Sequence, residues 1–540
     1  MITRFLAALM LCLLPVWAAA KPAASLEITA TWSDDRTRLG LSWPDVRGRV
    51  ELFRRELGGG EWQAHHPAVL TTHRLLDDIA PGRAWEYQVL IHGRDRIHAG
   101  YWTAGQGVPA RADQGRALLV IDDSLADELA PELARFQADL TGAGYRVTRH
   151  LAPRGVADGR ENLTRAFELR AWIAAQMQGD PFAPWTVVLV GHVPVVRSGM
   201  VNPDGHGARA MPTDLFYADP VGMWRPAQGP DGVVQLAPSV LPADRIAAQI
   251  GRIDFANLTA DYGDEVPLLR AYFDRNHAWR HGRMGDLRHA YAGGRGHLVV
   301  ERNALRNIVG PDAIRTGTHH DTAQDGPFLW GIDFGSPRAA AYRDNSPTPV
   351  FALNFGSYKQ IFDARDNTMT VMLSRPGPLA VGWGGRPSWQ LHGMAMGETI
   401  GQAHLRTVNN GRASQRASET RDYLTTGNYD WVGSIWVNLL GDPTLRAFPG
   451  QPVTDARATA TGDGMRLNWT APPGAQVLAF RADGPDAAWQ PLADGQPVAD
   501  GFIDPAPPAG ATYLLRARDL VQVPAGSFYR LSQGVFAGLD

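Results

Sequence analysis

The chain has 540 residues, 44% of them hydrophobic, and a formal net charge of −3. A near-neutral balance at this size excludes the basic footprint that nucleic acid or an anionic membrane surface requires. The length predicts about two to four domains with ample apolar core.

Residues 1–20 carry a positive Arg4, an apolar run from Phe5 to Val16 and small residues from Ala18 to Ala20. That is the pattern of a secretory signal peptide. The only cysteine, Cys12, lies inside it. The mature chain is therefore expected to have neither a disulfide nor a thiolate nucleophile. No later stretch reaches the roughly 20 apolar residues of a membrane-spanning helix. The expected location is secreted, periplasmic or at the cell surface. Basic residues are nearly all arginine, and the only lysines are Lys21 and Lys359.

Residues 25–105 alternate apolar and polar in short runs such as LEITATW, RLGLSW and AWEYQVLI, with turn residues between them. This spacing predicts a β-sandwich. Trp43 and Tyr87 sit where fibronectin type III domains keep core aromatics, so the segment resembles that fold. A linker is expected over 106–114. ALLVIDD (117–123) then reads as a buried strand. Leu129, Leu133, Phe136 and Leu140 follow at helical spacing, Gly144 suits the helix stop, and 145–151 reads as the next strand. A second helix over 159–178 leads to WTVVLVGHVPVV (185–196). Strands alternating with helices predict a parallel sheet with helices on both faces, running to about residue 447. From 451 to 540 short alternating runs return, predicting a second β-sandwich.

Several middle segments occur in a telling order: LLVIDD (118–123), VVLVGHVPVV (187–196), PTDLFYADPVGMW (212–224), IAAQIGRIDF (246–255), GTHHDTAQDGPFLW (317–330), VFALNFGSY (350–358) and WVNLLGDPTLR (436–446). Together they resemble the catalytic domain of the gingipain family, caspase-fold cysteine peptidases of bacterial surfaces. They are also similar to that family's secreted bacterial relatives, which end the domain in a leucine-glycine-aspartate-proline segment before a β-sandwich. The resemblance covers residues 115–447 and implies an α/β caspase-like domain flanked by two immunoglobulin- or fibronectin-like sandwiches, 25–105 and 451–540.

In that family a histidine and a cysteine follow neighbouring sheet strands. Ligands of open α/β sheets bind at that edge. The resemblance places His319 or His320 at the histidine and Ser357 at the cysteine, with Gly356 giving a close backbone approach. Three readings of Ser357 stay open. It is an inert loop serine; or it is a nucleophile with His319 or His320 as base and Asp321 or Asp333 as orienter; or the register is shifted and the site lies elsewhere. A serine hydroxyl is far less acidic than a thiol, so a dyad built for cysteine often fails for serine without a third group and an oxyanion hole.

Other residues carry a functional and a structural reading side by side. His319, His320, Asp321 and Asp325 have metal-ligating chemistry, although adjacent histidines seldom face one ion. Calcium follows from the resemblance, with Asp214, Asp219 and Asp231 as oxygen donors; a loop-buttressing role for Asp214 is the plainer reading. Arg252 and Asp254 suit an ion pair at a strand end. His192, Trp383 and Trp389 are candidates for a cleft lining, or for plain packing. The reading that follows is an exported, non-catalytic protein that binds protein or polysaccharide at the cell surface and requires no cofactor. The alternative is a serine-type endopeptidase using Ser357 with His319 or His320.

Overall fold

The computed structural model describes residues 23–157, 159–201, 206–228, 234–236, 245–293, 299–322, 324–334, 338–345, 348–410, 423, 435–484 and 487–539. The expected signal peptide and Asp231 lie outside these residues.

The fold is mixed α/β, built on a ten-stranded sheet. Its strands in chain order are β1 (Gly115–Asp122), β2 (Tyr145–Ala152), β3 (Trp185–Val190), β4 (Gln249–Ile253), β5 (Ala290–Ala292), β6 (Ile314–Thr316), β7 (Phe328–Phe334), β8 (Pro349–Phe355), β9 (Ala380–Trp383) and β10 (Leu439–Gly441). Their order across the sheet is β2-β1-β3-β4-β10-β9-β8-β7-β5-β6. Pairing is parallel from β2 to β10 and again from β9 to β6. Only β9 against β10 is antiparallel. Two parallel halves thus meet back to back at the centre, where the sequence predicted one continuous parallel sheet.

The strand runs are apolar because both faces are covered. Leu118 to Ile121 and Val187 to Val190 are fully buried. Helix α1 (Ala130–Gly142) buries Leu133, Phe136 and Leu140 on its inner stripe, with a proline in its first turn. The chain steps from β1 outward to β2 through α1, then back to β3 through α2 (Arg160–Gln176). Right-handed crossovers put those two helices on opposite faces. Helix α3 (Glu265–Arg280) packs beside α1, with Phe136 against Phe273 at 5.1 Å between ring centroids.

The flanking segments form sandwiches, but not separate ones. Residues Thr29–Trp32, Arg38–Ser42, Arg74–Asp78 and Val69–Leu70 make one sheet of the first. Its core holds Leu39, Leu41, Trp43, Tyr87 and Val89, all buried. Its other sheet ends in Ile97–Val108, which runs through the start of the expected linker. That strand pairs in parallel with Gly526–Leu531 of the second sandwich, in register Gly526↔Gly105. A single ten-stranded sheet therefore crosses from one sandwich into the other. Trp32 Nε1 donates to the Pro524 carbonyl at 3.0 Å across the same seam.

The seam depends on glycine. Gly526 has φ +121°, and a Cβ there would lie 1.9 Å from the Gly105 carbonyl oxygen. Gly526→Ala is expected to destabilise the protein by about 2–4 kcal/mol, read as a lower midpoint in thermal unfolding. Gly59→Ala, whose Cβ would meet nothing within 4 Å, should leave the midpoint unchanged.

Candidate functional site

Strand β8 is buried along its length and delivers Gly356, Ser357 and Tyr358 at its end. Ser357 and Tyr358 are exposed, and Tyr358 has φ +65°. A non-glycine residue there marks a tight, locally strained turn. Trp383 Nε1 donates to the Gly356 carbonyl at 3.0 Å and holds the turn against β9.

Ser357 Oγ is 2.7 Å from His206 Nε2. His206 lies in the connection between Arg197–Val201 and Arg209–Pro212, an antiparallel hairpin. Its ring stacks near Tyr358 at 5.8 Å, and the Arg209 guanidinium sits 4.4 Å from the Tyr358 centroid. Arg197 pairs with Asp363 and ties the hairpin to the loop that follows Ser357.

The expected histidines are placed differently. His319 is fully buried at the start of the short helix His319–Thr322. Its backbone N–H donates to Asp333 Oδ1 at 2.8 Å. Its Nε2 is 2.6 Å from the Asn345 carbonyl, an acceptor only, so Nε2 carries the proton. Nδ1 is buried with no hydrogen-bond partner among the described residues. His320 is exposed. Among the described residues no hydrogen bond joins Ser357 to His319 or His320; the serine pairs with His206 instead. Neither expected orienter holds the His319 ring. Asp321 caps its own turn, accepting from the Thr318 N–H and hydroxyl, each at 2.8 Å. Those bonds lower its pKa. Asp333 holds the His319 backbone and accepts from Tyr291 at 3.2 Å, while burial raises its pKa.

The residue that the sequence reading passed over is Lys359. Its ammonium donates to Asn354 Oδ1 at 3.0 Å, and Asn354 donates to the Tyr342 hydroxyl at 2.9 Å. The Tyr342 ring lies 5.4 Å from that of His319. A Cβ on Gly356 would come within 2.7 Å of Lys359 Cε, so glycine is what lets the lysine fold back over the strand end. Burial pushes the Lys359 ammonium down to about 8, with the Asp333 charge opposing the shift. The rarity of lysine in an arginine-rich chain was the available signal.

A second polar group sits at the ends of β1, β3 and β4. His192 Nδ1 is 2.9 Å from Asp254, and Arg252 lies 3.6 Å from the same carboxylate. Arg154 bridges Asp122 at 2.6 Å and Glu265 at 2.7 Å. The stronger partner of Arg252 is Asp214, through two nitrogens at 2.9 and 2.7 Å. Both are buried, so this is a structural ion pair.

That pairing bears on calcium. Asp214 faces a guanidinium, and the Asp219 carboxylate accepts from the Gly222 N–H and from Trp224 Nε1 at 2.9 and 3.1 Å. Oxygens so engaged do not fit a calcium shell. Nor do His319, His320, Asp321 and Asp325 converge: Asp321 caps its turn and Asp325 lies 3.6 Å from Arg315. Trp383 and Trp389 are fully buried, with Trp389 Nε1 on the Trp383 carbonyl at 2.8 Å; they are core rather than cleft lining.

A cavity of about 510 Å³ lies elsewhere, between the α/β layer and both sandwiches. Arg111, Gln249, Glu398, Arg446 and Arg516 are among its walls. None of Ser357, His206 or Lys359 borders it.

No family model matches the chain, and no curated protein matches it. Among solved structures, an Fn3-like protein from Clostridium thermocellum is 17% identical over 15% of this chain and 88% of that chain, with a TM-score of 0.12. A sialyltransferase from Photobacterium damsela is 11% identical over 66% of this chain and 97% of that chain, with a TM-score of 0.13. Likenesses at this level carry no argument about fold or activity.

The Lys359 environment gives a direct prediction. Lys359 should become half-reactive toward an amine-selective acylating reagent near pH 8, followed by peptide mass mapping, instead of near the 10.5 of an ordinary lysine. Asp333→Asn removes the charge that favours the ammonium and should move that midpoint lower still.

Proposed function

We propose that the chain is an exported protein of gingipain-like, caspase-fold ancestry that binds protein or polysaccharide at the cell surface without cleaving it. One observation carries this reading. The position that the resemblance gives to the nucleophile holds Ser357, and among the described residues it is hydrogen-bonded to His206 and to neither imidazole given to the base, His319 or His320. A general base must lie within hydrogen-bond reach of the proton it takes. The exposed Tyr358, beside the His206 ring and the Arg209 guanidinium, offers what a peptide or sugar ring packs against: an aromatic surface with a cationic neighbour.

A second reading rests on the 2.7 Å contact between Ser357 and His206. A serine within hydrogen-bond reach of an imidazole on an exposed turn has the first two members of a hydrolase constellation. The same turn sets the exposed Tyr358 beside Arg209, and the binding reading is preferred for that surface.

The two readings separate on labelling with a fluorophosphonate probe. The mature protein is expected to label no more than Ser357→Ala does. Labelling abolished by both Ser357→Ala and His206→Ala, and kept by His320→Ala, would establish the hydrolase instead. In a retention assay on cell-envelope material, Tyr358→Ala and Arg209→Ala should each weaken binding by roughly 5-fold or more. Unchanged retention in both would overturn the binding reading of this turn.

A further inference from the structure

Helices α1 and α3 bring three metal-ligating side chains together far from Ser357 in sequence. Asp139 lies on α1, His277 on α3, and His281 follows one turn later at the helix end. An i, i+4 histidine pair projects from one helix face, and here the two ring centroids are 4.0 Å apart. His277 Nδ1 is 2.8 Å from Asp139 Oδ2, and His281 Nε2 is 3.2 Å from Asp139 Oδ1. All three donor atoms lie within 4.8 Å of one another, and this is the only such group among the described residues.

We propose that Asp139, His277 and His281 form a binding site for zinc or a chemically similar divalent transition ion. Two imidazole nitrogens and one carboxylate oxygen are the donor set of open zinc sites, whereas calcium prefers oxygen donors alone. Ligand atoms of one tetrahedral zinc lie about 3.4 Å apart, given metal–ligand distances of about 2.1 Å. Each imidazole nitrogen already lies near that distance from an Asp139 oxygen, at 2.8 and 3.2 Å, and all three donors fall within 4.8 Å, so side-chain rotations admit the ion. Burial is graded in the required sense. The carboxylate is 6% exposed, while the rings are 21% and 17% exposed, which leaves a solvent side for a fourth ligand such as water.

The neighbouring charges permit it. Burial acts to raise the Asp139 pKa, but the two histidine hydrogen bonds and the Arg280 charge outweigh it and keep the carboxylate ionised. Arg280 is itself committed to Asp442 and Thr444. Arg135 pairs with Asp274, and Arg270 with Glu132. Binding requires each ligating nitrogen to be bare, so the proton now facing Asp139 moves to the other ring nitrogen through water.

The location suggests a clamp. The Asp139 carbonyl accepts from Gln533 Nε2 at 2.8 Å, and the Gly142 carbonyl accepts from the Gly534 N–H at 3.0 Å. An ion here would fasten α1 to α3 at the point where the C-terminal sandwich docks.

The test uses the mature chain, stripped with a chelator and titrated with zinc against a chromophoric competitor. One zinc per chain is expected, with an unfolding midpoint that rises on loading. Cobalt in place of zinc should give the intense visible bands of a tetrahedral site. His277→Ala and His281→Gln should each weaken binding by more than about 10-fold and remove the thermal shift, while keeping the far-ultraviolet circular dichroism of the parent. Asp139→Asn is a third variant. No stoichiometric binding tighter than about 10 μM, or binding unchanged in both histidine variants, would overturn the assignment and mark the cluster as a pair of structural histidine–carboxylate bonds.

Discussion

The buried carboxylate of Glu86 is the interaction on which the rest of the structure turns. It lies 1% exposed on Ala84–His92 of the first sandwich. Arg55 of the same sandwich donates to it at 2.7 Å. From beyond the sandwich come His392 Nε2 at 2.6 Å and the Tyr423 hydroxyl at 2.7 Å, with Arg406 at 3.9 Å. A charge this deep is tolerable only when donors close around it. Burial alone would raise its pKa, yet the His392 bond and the surrounding cations hold it far below the usual carboxylate range. Because the donors belong to different parts of the chain, the first sandwich cannot leave the α/β layer without stranding charges on both sides. The shared strand pairing of Ile97–Val108 with Gly526–Leu531 adds the second sandwich to the same body.

This joining changes what the flanking sandwiches do. Independent spacers would hold the α/β domain away from a surface and leave it free to turn. A sheet running through both sandwiches, with His392 and Arg406 reaching into it, makes them a single platform under the α/β layer. A rigid base suits a site whose parts come from distant elements, such as the Ser357 turn and the His206 hairpin. The reversal of strand direction at β9 and β10 also matters. It splits the sheet into two parallel halves, each with its own set of strand ends. His192 and Asp254 lie at the ends of one half, and Asp333, Ser357 and Lys359 at the ends of the other.

Much of the fold was legible because burial leaves local marks. The runs at 118–121 and 187–190 lack polar residues since neither face meets water, and the α1 stripe repeats at helical spacing. Trp43 and Tyr87 lie in the sandwich core as their alternating runs suggested. What escaped is what depends on distant partners. Nothing near Gly526 announces Gly105 as its neighbour, and nothing near Glu86 announces His392. The β9–β10 reversal follows from a strand of three residues, too short to show a pattern. At the candidate site, Ser357 and its expected imidazole were both taken from the resemblance, and the imidazole that Ser357 meets, His206, comes from a hairpin with no motif of its own. His277 and His281 were readable as an i, i+4 pair; without Asp139 from another helix they had no chemical meaning.

The most direct test of this account is scanning calorimetry of the protein beside Glu86→Gln. If the Glu86 cluster and the shared sheet bind all parts into one body, the protein unfolds in a single transition whose calorimetric and van't Hoff enthalpies agree. The substitution should then move that whole transition down, consistent with a loss of about 3–5 kcal/mol for a broken buried ion cluster. Two or more separate transitions, with only one displaced in Glu86→Gln, would contradict it and restore the sandwiches to independent modules.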